Sequence, residues 1–272
     1  LAAEARLLAG ARESGHALAR LDERQVTVDH ASHAMEVILR LHPGPAAKLG
    51  EVGFKGASGV DTAFLQTLVP WKAGAPYRPS LVEDLRQALA DTNLFATIRV
   101  EPGTELDAQG QLPFQVELVE RFHRTFKASL GYNITKGPSV SAGWWHRNYF
   151  GAGERLSIEG TLSGIGYSLD SKYRKPSFYR PDQALVMDGR LAYEDTDAYT
   201  SLTAGAGIGL ERQLAKNMTL TLGPAFRLSQ VDDVNTESSD IFGLLSFPVK
   251  FDWDFSDNRL DASRGGKLFL QG

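Results

Sequence analysis

The sequence predicts an α+β region followed by an antiparallel array of amphipathic β-strands. Three observations carry this. Between Ala46 and Arg121, helix signals stand between short strand-like runs. From Phe126, large residues fall on alternate positions (Phe126, Ala128, Leu130, Tyr132, Ile134), with Lys127, Ser129, Gly131 and Asn133 between them. That is strict period 2, so one face is apolar and the other polar or small. From there to Gly272 such runs recur, separated by breaks rich in turn formers.

Residues 1–14 carry helix formers, with Leu7, Leu8 and Ala11 as an apolar stripe and Gly15 as a stop. Nothing at Leu1 resembles a signal peptide, and Leu1–Leu8 reads like the interior of a helix, so the chain is expected to be a piece of a longer one. Strand-like runs follow at 17–28 and 34–41, and His42-Pro43-Gly44-Pro45 breaks the chain. Helix, strand, strand is too little for an independent core, so residues 1–45 read as the back half of a domain. Asp29, His30 and His33 lack a further nearby ligand and read as a polar turn rather than a metal site.

Residues 46–121 read as a complete small domain. Leu49–Lys55 is a strand; Asp61 can cap a helix from Thr62 to Val69, which stops before Pro70. Ser80 and Glu83 have capping-box spacing, which starts a second helix running to about Asp91 with Leu81, Val82, Leu85 and Leu89 on one face. Asn93 stands where a left-handed stop belongs. In the next strand Phe95, Thr97, Arg99 and Glu101 share one side, and Ala96, Ile98 and Val100 the other. Phe114, Val116 and Leu118 line the last strand. The order β-α-α-β-β places two helices on one face of a small mixed sheet. Such a sheet keeps an exposed edge, which either stays solvated or accepts an extended peptide; the candidate is Phe95, Thr97, Ile98, Arg99 and Val100.

Residues 122–272 hold about eight strands, most near the length a tilted strand needs to cross a bilayer. Alternation alone fits a soluble sandwich as well as a transmembrane barrel. Strand length favours the barrel, as do aromatic residues near strand ends (Trp144, Trp145, Tyr149, Phe150, Tyr173, Phe178, Tyr179, Tyr193, Tyr199 and Trp253). The mean hydropathy of −0.23 does not oppose it, because alternation hides apolar residues from such an average.

Other classes receive little support. Net charge is −4, unlike a nucleic-acid binder. No run of about 18 apolar residues offers a membrane helix. Cysteine is absent, which removes disulfides and cysteine zinc sites. Gly205-Ala206-Gly207-Ile208-Gly209 lies within an alternating strand, not in the strand–turn–helix a dinucleotide needs. Asp252, Asp254 and Asp257 lack the spacing of a calcium loop. No catalytic set has supporting context, so no enzyme activity, cofactor or metal is expected.

The tract Gly53-Phe54-Lys55-Gly56, Pro79-Ser80-Leu81, Asp91-Thr92-Asn93-Leu94-Phe95 and Val116–Arg121 resembles a POTRA domain, and residues 1–42 resemble the second half of a preceding one. Tyr149-Phe150-Gly151-Ala152-Gly153-Glu154 resembles the turn joining strands two and three of Omp85 superfamily barrels, and 257–266 their mid-barrel turn, with Ala262 where Pro is usual. Within that superfamily the chain is most similar to the autotransporter assembly factor of the translocation and assembly module. The resemblance implies POTRA domain(s), then half of a sixteen-stranded transmembrane barrel, in the outer membrane of a Gram-negative cell with residues 1–121 in the periplasm. It implies outer-membrane protein assembly: unfolded outer-membrane clients such as autotransporters, outer-membrane lipid and a periplasm-spanning partner bound through the POTRA domains would be the partners. The client-strand seam it implies is the first barrel strand, with Thr125, Lys127, Ser129, Gly131 and Asn133 facing the lumen. A two-partner secretion transporter, which exports a protein through its lumen, shares the fold and stands as the alternative.

Overall fold

The structure is a computed structural model that describes residues 2–22, 24–29, 34–134, 137–233, 238–257 and 261–272. Its contacts divide the chain into Leu1–Arg121 and Phe122–Gly272.

The first unit opens with helix α1 (Ala2–Glu13), ended by Gly15 at φ +96°. Leu8 and Ala11 are half-buried while Leu7 is exposed, so the stripe is narrower than the sequence suggests. Strands β1 (Arg20–Leu21), β2 (Gln25–Asp29), β3 (Ala34–Ile38) and β4 (Leu41–His42) follow. β1 pairs with β4 and β2 with β3, antiparallel in both cases. His30 and His33 lie outside the described residues, so the metal reading of that turn is not described by the structure.

Next come β5 (Lys48–Lys55), α2 (Thr62–Thr67), α3 (Pro79–Asp91), β6 (Phe95–Pro102) and β7 (Gln111–Glu120). The sheet order is β5-β7-β6, with β5 parallel and β6 antiparallel to β7. A parallel pair needs a crossover, and α2 and α3 lie within the one between β5 and β7. Period 2 sends Leu112, Phe114, Val116 and Leu118 of β7 to one face. They are buried there with Leu49 and Val52 of β5, Phe64 and Leu65 of α2, and Leu85 and Leu89 of α3.

Two local readings change. Ser80 is not the cap of α3: Arg78 holds the N-cap position with extended φ and ψ, no side chain caps it, and Pro79 lies in the first turn. Proline's fixed φ suits the first helical turn and its missing N–H costs nothing there, so the helix starts earlier than the capping box implies. Glu83 binds Arg86 instead. In β6 a register shift between Phe95 and Thr97 breaks the alternation. The extra residue resets the faces, so Phe95 is buried with the half-buried Ile98 and Val100, while Thr97 and Arg99 are exposed. Asn93 does adopt φ 58°.

The second unit is one large antiparallel sheet. Its strands are β8 (Arg124–Asn133), β9 (Gly137–His146), β10 (Arg155–Ser163), β11 (Gly166–Lys175), β12 (Gln183–Asp195), β13 (Tyr199–Ala215), β14 (Met218–Leu222), β15 (Ala225–Asp233), β16 (Ser238–Ser246), β17 (Val249–Asp254) and β18 (Lys267–Gln271). Each pairs with its neighbour from β8 to β13. The long β13 then carries β15 along one half and β14 along the other. β16 continues from β15, and β17 from β14. The two interruptions, Gly223-Pro224 and Phe247-Pro248, stand opposite each other, because Leu222 pairs with Val249 and Ala225 with Ser246. Proline brings no N–H to a ladder, so each continuous run read from the sequence becomes two segments. β18 adds the start of one further strand beyond β17.

Candidate functional site

One strand at the margin of this sheet stands out. β8 pairs with β9 through ten register positions, from Arg124 opposite His146 to Asn133 opposite Gly137. Among the described residues it has no strand on its other side. Thr125, Lys127, Ser129, Gly131 and Asn133 lie on one face; Phe126, Ala128, Leu130 and Tyr132 lie on the other.

That polar face continues across the sheet. Ser141 on β9 meets Thr161 on β10 at 2.9 Å, and Thr203 on β13 meets Ser229 on β15 at 3.0 Å. Arg190 on β12 donates to Asp170 on β11 at 3.0 Å, and both Nε and Nη2 of Arg174 reach Oε1 of Glu211 two strands away. Such pairs are the sheet counterpart of neighbouring helix turns and hold strand register. The pattern shows which residues are polar but not these pairings, which depend on register.

The opposite face is apolar and bare. Leu130 is 84% exposed, Leu162 64%, Leu191 55% and Phe226 51%. Monomers in water rarely keep a contiguous apolar surface of this extent, whereas strands facing hydrocarbon require one. At one rim of this face Trp144, His146, Tyr149 and Phe150 form a chain of ring contacts with centroids 4.8–6.1 Å apart. Trp145 does not join that girdle. Adjacent residues of a strand point to opposite faces, so its indole lies on the polar face, over Gly143, with Lys127 Nζ 5.1 Å from the ring centre.

The connection after β9 is a closed turn. The buried Glu154 carboxylate accepts the N–H groups of Ala152 (2.9 Å) and Phe150 (3.3 Å), and Asn148 Oδ1 accepts that of Gly153 (2.8 Å). Tyr149 N–H donates to the Glu154 carbonyl. Residues 258–260, in the region resembling the mid-barrel turn, lie outside the described set, as do Thr135, Lys136 and 234–237.

The small sheet of the first unit offers a second margin. β6, with Phe95, Thr97, Ile98, Arg99 and Val100, is one edge and β5 the other. They are not equivalent. Trp71 Nε1 donates to the Gly50 carbonyl and Gln66 Nε2 to that of Val52; Leu49 exchanges bonds with Gly74 and Ala75. These contacts cover β5. Among the described residues, no group of three or more His, Asp or Glu is placed to hold a metal ion.

Comparison with known proteins decides the family. Residues 148–271 match the Omp85 superfamily domain. Residues 47–121 match the POTRA family, described as a surface antigen variable number repeat. The chain carries a POTRA domain and an Omp85 superfamily domain. Its fold resembles BamA from Haemophilus ducreyi lacking POTRA domains 1–3, with a TM-score of 0.80 and 18% identity over 98% of this chain and 55% of that one. CdiB from Acinetobacter baumannii gives a TM-score of 0.54 with 15% identity over 88% of this chain and 47% of that one. CdiB from Escherichia coli gives 0.55 with 13% identity, over 89% and 46%. The chain thus spans about half the length of the structures it matches. The second unit is a BamA-like portion of an Omp85 barrel sheet, so the protein lies in the outer membrane with its POTRA segment in the periplasm.

Proposed function

We propose that this Omp85 protein helps fold and insert β-barrel clients such as autotransporters into the outer membrane. The observation that carries the reading is β8, a ten-residue strand that among the described residues has a partner on one side only. A strand edge in hydrocarbon leaves backbone N–H and C=O groups without water, at a cost of several kcal/mol each. A client strand arriving with its own unpaired edge relieves both at once. No covalent chemistry is needed: Thr125, Lys127, Ser129, Gly131 and Asn133 would line the lumen side of the exchanging strand. The β6 edge of the POTRA domain would take an extended segment of a client or of a periplasm-spanning partner, because β5 is already covered.

The test uses the full-length protein. The present sequence has no cysteine, so single cysteines at Ser129 or Gly131 report cleanly if any elsewhere in the chain are removed. Both are expected to form adducts with a stalled client. No adduct at either position would sink the seam.

Export of a polypeptide through the lumen is the second reading, supported by the fold shared with CdiB, a two-partner secretion protein. Adducts from a cysteine at Thr203, on the polar wall, without any from Ser129 would favour it.

A further inference from the structure

We propose that Lys127 sets the register of the strand that joins the uncovered side of β8, by taking a carboxylate on that strand's lumen face. This rests on the strand-pairing reading above and names what the arriving strand must carry.

A bare strand edge does not tell a partner where to stop. Sliding an antiparallel strand by two residues returns the same faces and the same hydrogen-bond pattern, so backbone and alternation leave the register open. Side chains must break the repeat. On the lumen face of β8 stand Thr125, Lys127, Ser129, Gly131 and Asn133, and Lys127 is the only charged residue among them. The other face, past Arg124 at the start of the strand, carries Phe126, Ala128, Leu130 and Tyr132. Along the ladder, a single cation on the lumen side marks one position as unlike the rest.

On its paired side Lys127 meets no acid. It faces Gly143 of β9, which in turn faces Glu159 of β10. Two strand spacings, about 9–10 Å, separate Lys127 from Glu159. The Trp145 indole lies in that gap: a Cβ at Gly143 would fall 2.3 Å from Cη2 and 2.6 Å from Cζ3 of the ring. The neighbouring lumen-face residues of β9, Ser139 and Ser141, are uncharged. The Lys127 ammonium stands 5.1 Å from the indole centre, within reach of the ring quadrupole. This contact holds the charge on the lumen wall without an acceptor oxygen. An ammonium has three N–H donors, and among the described residues no carboxylate pairs with Lys127. A strand on the uncovered side sets one lumen-face side chain directly opposite, with Cβ atoms about 4.5–5.5 Å apart. A carboxylate is favoured there, and a Lys or Arg meets like charge. Trp145 acts as a positioning residue for that cation.

Disulfide capture of synthetic peptides by the full-length protein, in phosphatidylethanolamine–phosphatidylglycerol vesicles and with any other cysteine removed, tests this. Three ten-residue peptides of alternating Leu and Thr differ only in having Glu, Gln or Lys at one Thr position, with Cys two positions before it. Antiparallel pairing that sets the variable residue opposite Lys127 sets the Cys opposite residue 129, and a slip of two residues moves it opposite 131. The ratio of adducts at Ser129→Cys to those at Gly131→Cys therefore reads register. That ratio is expected to be about two- to fivefold higher for the Glu peptide than for the Gln peptide, the scale of one cross-strand charge pair, and lowest for the Lys peptide. Lys127 is exposed, so its variants leave the packing alone. Lys127→Ala should make the Glu and Gln peptides equal, and Lys127→Glu should turn the preference to the Lys peptide. Equal ratios for the three peptides, or a Glu preference that survives Lys127→Ala, overturn the role of Lys127 and leave edge pairing in place. No adduct from any peptide at either position overturns edge pairing itself, and the register reading with it.

Discussion

Trp71 donates its indole N–H to the backbone carbonyl of Gly50 at 3.0 Å, and this contact makes the two edges of the POTRA sheet unlike. Trp71 is itself buried, 5.4 Å from the Phe114 ring. Trp71→Phe keeps much of the packing but leaves the Gly50 carbonyl without its donor. A buried group stripped of its partner costs about 1–3 kcal/mol. Urea unfolding of the segment 1–121 should show that loss, and an unchanged midpoint would mean that the bond does not hold β5.

Gly56 is the most constrained position of the same domain. Its φ is +83°, and a Cβ there would stand 2.2 Å from the Leu118 carbonyl oxygen. Gly56→Ala combines left-handed strain of about 1–3 kcal/mol with a clash against backbone that cannot rotate away. The expected outcome is a loss of at least that size in the same urea titration, with Gly74→Ala, where nothing lies near the Cβ and only φ is unfavourable, losing less.

Glu154 organises the turn between β9 and β10 through two backbone N–H groups. Glu154→Ala orphans both, and charge-assisted bonds of this kind contribute about 1.5–3 kcal/mol. Glu154→Gln retains a carbonyl acceptor and should lose less. Heat-induced unfolding of the full-length protein, followed by its shift in electrophoretic mobility, ranks the two variants. Equal midpoints for Glu154→Ala and the parent would show that the carboxylate does not hold the turn.

The hydrogen bond from Arg86 holds the Glu83 carboxyl below its ordinary value of 4.5. The folded state therefore favours the ionised form, so this contribution is present above pH 4.5 and is lost as pH falls through the depressed folded value. Both side chains are exposed, so the effect is small. Stability of 1–121 should fall in acid slightly more steeply for the parent than for Glu83→Gln. Identical acid limbs would show that the pair does not contribute.

How much was legible varies residue by residue. Asn93 announced its left-handed backbone, because an isolated Asn after an apolar helix face has few other uses. Ser80 and Glu83 announced a cap that Pro79 displaced, since two signals for a helix start competed one residue apart. Phe95 was assigned to the wrong face of β6, because a bulge leaves no mark in a periodic pattern. Trp145 was read into the aromatic girdle beside Trp144, although period 2 already separates neighbours; only the vacancy above Gly143 explains how an indole fits on the polar wall.

The sequence by itself determined the two-part architecture and the face each strand turns to lipid. Both follow from periodicity, which is a local property of the chain. Strand partners were settled by tertiary structure alone. Register brought Arg174 to Glu211 and Lys127 to the Trp145 ring, closed β5 with Trp71 and Gln66, and broke two neighbouring strands at Pro224 and Pro248. The physical reason is that a backbone edge is chemically the same in every strand. Whether it is covered depends on residues distant in sequence, and in the described structure β8 and β6 are left with a side uncovered.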